Sequence, residues 1–379
     1  MSAKKLSDSL RTWIEIDARA AKKNYNTFRK LVGKKVKLWS VVKSNAYGHG
    51  LYAFSALMDE FGIDGFCVDS VVEGLSLRNV GIKKPILVLG QTLPSRYAEA
   101  AKNDITISIS NFDALEALAR AKKIPDFHIK IDTGMHRQGF YLEDVPNVIA
   151  QVAKSKGLRP HLKGLFTHFA AAKDMHDHTY ADAQLKNFKK TVDLFEKAGF
   201  TTLIKHASAT GGTLLGAPYH FDSVRVGIGL YGLWPADELK KQLGKKIILH
   251  PVLSWRATIS EVKNLKKGDY VGYDLTERVK KDVKMAVVPI GYWHGFPRAL
   301  SSVGAVIVNG KVARVLGRVS MDMIAIALSS SARPGDVVTI IGRDGRAKVS
   351  ALEQSINSNT SEYEFVTRLN PLMERVIIR

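Results

Sequence analysis

Short apolar, β-branched runs recur along the first part of this chain, and segments with helical spacing separate them. The runs read "KLWSVV", "GFCVD", "PILVLG", "ITISIS", "FHIKID", "KGLFTHF", "LIKHAS" and "SVRVGIG", between residue 36 and about residue 230. Among the intervening segments, "FDALEALARAKK", "LEDVPNVIAQVAKS" and "AQLKNFKKTVDLFEKAG" space their apolar residues as one face of a helix. "RAAKKNYNTFRKLVG", before the first strand, reads the same way and ends on a glycine stop. Strand and helix in repeated alternation predict an α/β fold, a (β/α)8 barrel of TIM type, with a doubly wound open sheet as the competing arrangement. Beyond about residue 245 strand-like runs dominate, among them "HPVLSWRATISEV", "KMAVVPIGY" and "GDVVTIIG". "VNGK", Val308 to Lys311, is a hairpin-turn signal. The pattern predicts a barrel over residues 12–240 and a mostly β C-terminal domain over 241–379, joined by residues 1–11.

Composition narrows the setting. With 379 residues, 45% of them hydrophobic, the chain can bury a sizeable core. A single cysteine, Cys67, excludes an internal disulfide and a cysteine-based metal cluster, which fits a reducing compartment. The polar start "MSAKKLSDSLRTW" lacks the apolar core of a signal peptide, and no run approaches the roughly 18 apolar residues that span a bilayer. A soluble, cytoplasmic protein without a membrane partner is expected. The formal charge of +20 raises nucleic acid as a partner, but the lysines are scattered in runs such as "VGKKVK" and "KNLKKGD" without interleaved aromatics. A solvated surface that attracts small anions is the simpler use of that charge.

In such a barrel, reactive groups gather at the carboxyl ends of strands, and a phosphate site tends to follow strands seven and eight. Lys43 ends the first strand, Lys130 and Arg137 flank the end of the fifth, His168 ends the sixth, His206 ends the seventh and Arg225 lies in the eighth. Thr210, Gly211 and Gly212 follow the seventh, while Gly227 and Ile228 fall in the eighth. A hydroxyl, permissive glycines and free backbone N–H groups suit a phosphate. A lysine at the mouth beside that cradle suggests a Schiff base to pyridoxal phosphate. In "VVKSNAYGHG", Val41 to Gly50, the residues Asn45, Tyr47 and His49 add hydrogen-bonding groups after Lys43.

That segment resembles the pyridoxal-phosphate lysine motif of bacterial alanine racemases, and the likeness extends over nearly the whole chain. It includes "IDTGMHRQG", "GLFTHFA", "SVRVGIGLYG", "VGYD", "PIGYWHGFPRAL" and "LGRVSMD", in the family's order. The resemblance implies a racemase interconverting L- and D-alanine to supply D-alanine for peptidoglycan. Lys43 would carry the cofactor, and Tyr47, Thr210, Gly227 and Ile228 would hold its phosphate. Arg225 would face the pyridine nitrogen with His206 behind it. An arginine there does not readily surrender a proton, which favours proton exchange over transamination. Racemisation needs proton donors on both faces of the α-carbon. The resemblance assigns one face to Lys43 and the other to Tyr273 of "VGYD". A free tyrosine is ionised only about one time in a thousand at pH 7, and help would come from His168 and Arg137. Arg137 and the Met321 backbone N–H would meet the substrate carboxylate, with Tyr292 near the entrance. Lys130 matches a position that is carbamylated in some members, and a free amine is the alternative. Tyr273 would come from a partner subunit, which implies a homodimer with shared active sites.

Some positions depart from the family. Gly291-Tyr292-Trp293-His294-Gly295 stands where "GYADG" is usual, so a serine-preferring or broad-range racemase is the alternative. The position of a phosphate-binding tyrosine found in some members is matched by Pro371. "GIGLYG", Gly227 to Gly232, satisfies GxGxxG but lacks a following helix pattern and an acid about 20 residues on, so no dinucleotide site is expected. His168, Asp174, His176 and His178 are possible ligands in a polar loop, yet no metal is expected.

Overall fold

The computed structural model describes residues 9–379. The first strand among the described residues is β1 (Thr12–Asp17), followed by eight parallel strands: β2 (Lys37–Val41), β3 (Gly65–Val68), β4 (Ile86–Gln91), β5 (Ile105–Ile109), β6 (Phe127–Lys130), β7 (Leu162–Phe166), β8 (Ile204–His206) and β9 (Ser223–Val226). Strands β2 to β9 close into a barrel. Each corresponds to one of the apolar runs read from the sequence, and the open sheet is ruled out. Strands β3, β6 and β9 are buried at every position, as expected where one face lines a barrel and the other lies under helices. The helix Thr179–Lys197 buries Ala181, Leu185, Phe188 and Phe195 along one face, which is why its apolar residues recur at helical spacing. Ser70 and Asn111 start the helices Val71–Asn79 and Phe112–Ala119 by accepting the Glu73 and Ala114 N–H groups.

The described residues divide into two compact units: Ala20–Ser44 with Phe54–Pro251, and residues 9–19 with Asn45–Ala53 and Val252–Arg379. This differs from the expected boundaries of 12–240 and 241–379. Strand β1 pairs antiparallel with Leu253–Thr258 and parallel with Glu374–Ile378, so it belongs to the β unit rather than to the barrel. Residues 1–8, assigned from sequence to that same unit, lie outside the described residues. The β unit is built on a ten-stranded sheet, with Trp13 and Trp255 fully buried and the Trp255 indole N–H donating to Thr12 Oγ1 at 2.9 Å. Strands Ala305–Val308 and Lys311–Leu316 form the hairpin expected from "VNGK". Asn309 (φ 48°) and Gly310 (φ 73°) both take the left-handed conformation that a tight two-residue hairpin turn requires.

Candidate active site

The barrel mouth gathers the cations read from the strand ends. Lys43 follows β2, and its Nζ donates to Asp69 Oδ1 at 3.0 Å just beyond β3. Lys130 closes β6, and its Nζ donates to Gln138 Oε1 at 3.2 Å. Burial first, then the nearby Arg137 and Arg225 charges, push the Lys130 amine down to about 8. Arg137 sits in a loop tied by Asp132, whose carboxylate accepts the N–H groups of Gly134, His136 and Arg137 at 2.9–3.0 Å. Burial works to raise the Asp132 carboxyl, but these N–H groups outweigh it and hold it below the usual carboxylate range. His168 feels Arg225, Arg137, Lys130 and Lys43 together; burial and these charges lower it to about 3, so the imidazole is neutral.

Beneath them lies a directed chain of hydrogen bonds. Arg225, only 2% exposed, donates to the Thr167 carbonyl at 2.7 Å, to the Ala207 carbonyl at 2.9 Å and to His206 Nδ1. Burial lowers the guanidinium to about 10, which leaves it charged at neutral pH. Because a guanidinium can only donate, His206 Nδ1 must accept, and its proton sits on Nε2. That Nε2–H faces His128 Nδ1 at 2.8 Å, so the His128 proton is in turn on Nε2. Both rings are held neutral, chiefly by burial and then by Arg225; His128 falls to about 3 and His206 well below its usual value.

Thr210, Gly227 and Ile228, expected from sequence to hold a phosphate, lie in the same unit. Thr210 Oγ1 accepts from the Gly227 and Gly229 N–H groups, each at 3.3 Å, which leaves the hydroxyl proton free to be donated elsewhere. A Cβ at position 229 would lie 2.4 Å from the Phe28 ring and 2.8 Å from Thr210 Cγ2, so only glycine lets these segments approach. Ile228 is 1% exposed beside it.

After Lys43 the backbone makes a left-handed turn. Ser44, Asn45, Ala46 and Tyr47 all have φ between 51° and 55°, although none is glycine. Each such residue costs roughly 1–2 kcal/mol, so other contacts must hold the turn. Glu73 accepts the Ser44 and Asp69 N–H groups at 2.7 Å, and Asn45 Oδ1 accepts the Leu51 N–H at 2.9 Å where the helix Leu51–Glu60 begins. Arg375 donates to the Gly48 carbonyl at 3.0 Å and to the Asn370 and Met373 carbonyls at 2.6 Å. A Cβ on Gly48 would lie 1.8 Å from the Val366 carbonyl oxygen. The Tyr47 ring lies 6.1 Å from that of Tyr363, an aromatic neighbour that the substitution at Pro371 gave no reason to expect.

Tyr47, Tyr273, Tyr292 and Met321 belong to the β unit. Tyr273 is 70% exposed on a short turn in which Gly272, Asp274 and Leu275 have positive φ. Tyr292 borders a groove of about 480 Å³ that is also lined by Arg298, Glu364 and Arg368. The Trp293 ring is exposed, whereas His294 is buried and accepts the Gly291 N–H at Nδ1. Met321 is exposed, and its carbonyl accepts the Trp293 N–H at 3.0 Å.

Among the described residues no three His, Cys, Asp or Glu side chains gather as a metal site. Asp174 instead accepts from Gln242 and the His176 N–H, and His178 meets Asp182 at 2.8 Å. Asp69 and His128 were missed from sequence. The first is a carboxylate at a strand end, and the second stands two residues before Lys130 in β6, where period-two alternation turns both into the barrel.

Residues 16–235 match the family of alanine racemase N-terminal domains, and residues 252–377 match alanine racemase C-terminal domains. The chain belongs to the alanine racemase family. An alanine racemase of Leptospira interrogans is 35% identical to it, over 98% of this chain and 97% of its own. The crystal structure of an alanine racemase from Bacillus anthracis with bound L-Ala-P has a TM-score of 0.91 at 32% identity, covering 98% of this chain and 95% of that one. A histidine racemase from Leuconostoc mesenteroides has a TM-score of 0.86 at 27% identity, covering 98% and 99%. The alanine racemase fold thus also carries a racemase named for another amino acid.

Proposed function

We propose that this chain is a pyridoxal-phosphate-dependent isomerase that interconverts L- and D-alanine and supplies D-alanine for peptidoglycan. The observation that carries the reading is the pairing of an amine at the barrel mouth, Lys43, with a buried guanidinium, Arg225, that is fixed by three acceptors and stays charged. Pyridoxal phosphate suits this set: an amine to bond, a non-yielding donor for the ring nitrogen, and a hydroxyl with its proton free beside glycine N–H groups. When bound, it supplies an electron sink that makes the α-hydrogen of an amino acid removable.

Lys43 would hold the cofactor covalently, and Tyr47, Thr210, Gly227 and Ile228 would take its phosphate. Arg225 donates without losing a proton, and His206 keeps its orientation. The Lys43 amine would take or return a proton on one face of the α-carbon. Tyr273 does so on the other, supported by Arg137 and by His168. Arg137 and the Met321 N–H bind the carboxylate, Tyr292 borders the entrance, and Lys130, free or carbamylated, orients Arg137. Tyr273 acts on the site of a second subunit in a homodimer. Supporting this, Tyr273, Leu275, Trp293, Met321 and Met323 are all more than half exposed on the β unit, an apolar set that suits an interface. A cytoplasmic location accords with one buried free cysteine, Cys67, and among the described residues no helix is long and apolar enough to cross a membrane.

The cofactor-loaded protein should racemise alanine faster than serine, histidine, lysine or arginine, as followed by chiral chromatography. Equal or higher rates on serine or histidine would move the reading to a broad-range racemase, and no racemisation of any would end it. In Thr210→Val the phosphate loses a donor while side-chain shape is kept. Cofactor affinity should fall about tenfold, with turnover near the parent's at saturation. Equilibrium dialysis separates the two quantities.

A further inference from the structure

At the amino-terminal mouth of the barrel, the end where β2, β7 and β8 begin, lies a cavity of about 640 Å³ lined by Lys37, Trp39, Asp64, His128, Arg159 and Lys163. Its volume falls within the ~300–1,000 Å³ usual for small-molecule clefts. Asp64 is already matched, by Arg29 and by the Leu38 N–H at 2.7 Å. Lys163 is partly engaged, with its Nζ donating to the Pro160 carbonyl at 2.7 Å and lying 3.8 Å from Asp126. The Arg159 guanidinium lies over the Phe200 ring at 4.5 Å, an arrangement that leaves N–H groups at its edge. Lys37 is exposed and forms no ion pair among the described residues. The rim is therefore net positive.

Two observations at the floor point to a ligand. The Trp39 indole N–H is buried and has no hydrogen-bond partner among the described residues, although Trp39 as a whole is 4% exposed. An orphaned buried donor costs roughly 1–3 kcal/mol, so in native proteins it usually meets a partner. His128, 2% exposed, turns Nδ1 to His206, and the tautomer fixed through Arg225 puts a hydrogen on its other nitrogen. Its ring centroid is 6.0 Å from that of Trp39. Two N–H donors below a rim of cations form an anion's environment.

We propose that this mouth binds a small phosphate-bearing anion, with the Trp39 and His128 N–H groups at the floor and Lys37, Arg159 and Lys163 at the rim. The site is separate from the cofactor site and does not depend on the racemase reading. Through His128 and His206 it is two hydrogen bonds from Arg225.

The test uses the protein as purified and again with pyridoxal phosphate in excess, which would fill the cofactor's own phosphate site. Calorimetric titration with ribose 5-phosphate should give saturable binding with a dissociation constant of about 1 mM or tighter, and inorganic phosphate should bind more weakly because it leaves much of the cavity empty. Lys37→Gln, at an exposed position, and Trp39→Phe, which keeps a ring but removes the N–H, should each weaken binding about tenfold. Absence of saturation by either probe at about 50 mM would overturn the proposal, as would equal affinity in both variants or full displacement by chloride at matched ionic strength.

Discussion

Tyr273→Phe is expected to lower racemisation in both directions by about three orders of magnitude while the protein still binds its cofactor, because a positioned acid or base contributes roughly 10²–10⁴-fold. The phenyl ring retains the shape and exposure of Tyr273 and loses only the hydroxyl that would exchange a proton with the α-carbon. Stability should hardly move, since the side chain is 70% exposed. Proton removal need not stop altogether: with Lys43 intact, exchange of the α-hydrogen with solvent deuterium should persist for one enantiomer and vanish for the other. Exchange retained for both would remove Tyr273 from the reaction.

The same variant tests whether Tyr273 is donated across a subunit boundary. Lys43→Ala and Tyr273→Phe proteins, each inactive alone, are unfolded, mixed and refolded together. If each site takes Lys43 from one chain and Tyr273 from the other, a mixed dimer holds one site with both defects and one with neither. Random pairing then restores about a quarter of the parent activity, whereas sites built within one chain restore none.

The sequence disclosed most of the architecture for a physical reason: barrel strands are buried on both faces, so each reads as a short apolar run wherever its partners lie. The Asn309-Gly310 turn was equally legible because its conformation is set by those two residues. Strand β1 was not, since its pairing with Leu253–Thr258 joins distant parts of the chain and local pattern carries no record of partners. The turn after Lys43 shows another limit. Nothing in "SNAY" announces four left-handed residues, and the groups that hold it, Glu73 and Arg375, are remote in sequence. Of the site, the strand-end cations were readable from position. Asp69 beside Lys43 and the step from His206 to His128 needed the geometry, because a histidine in a buried strand gives no sign of which nitrogen it offers.

That chain should make the protein acid-labile beginning well above the carboxylate range. In the unfolded state His128 and His206 take up protons near pH 6.5. In the folded state His128 resists protonation down to about 3, and His206 is likewise held well below its usual value, by burial and then by the Arg225 charge. The unfolded state therefore binds more protons between these limits, so stability rises with pH across that window and is lost on acidification below about 6.5. Each such histidine contributes a slope that approaches 1.4 kcal/mol per pH unit, so by pH 5 His128 alone removes roughly 2 kcal/mol from a total of typically 5–15, and His206 acts in the same direction. Urea unfolding at fixed protein concentration, at pH 7.5, 6 and 5, measures this directly. His128→Gln keeps an acceptor for the His206 Nε2–H and cannot take up the proton, so its slope should be shallower by about one proton's worth. An unchanged slope in that variant would mean that acid acts elsewhere. A slope near zero in the parent would mean that burial and the Arg225 charge do not hold these imidazoles neutral.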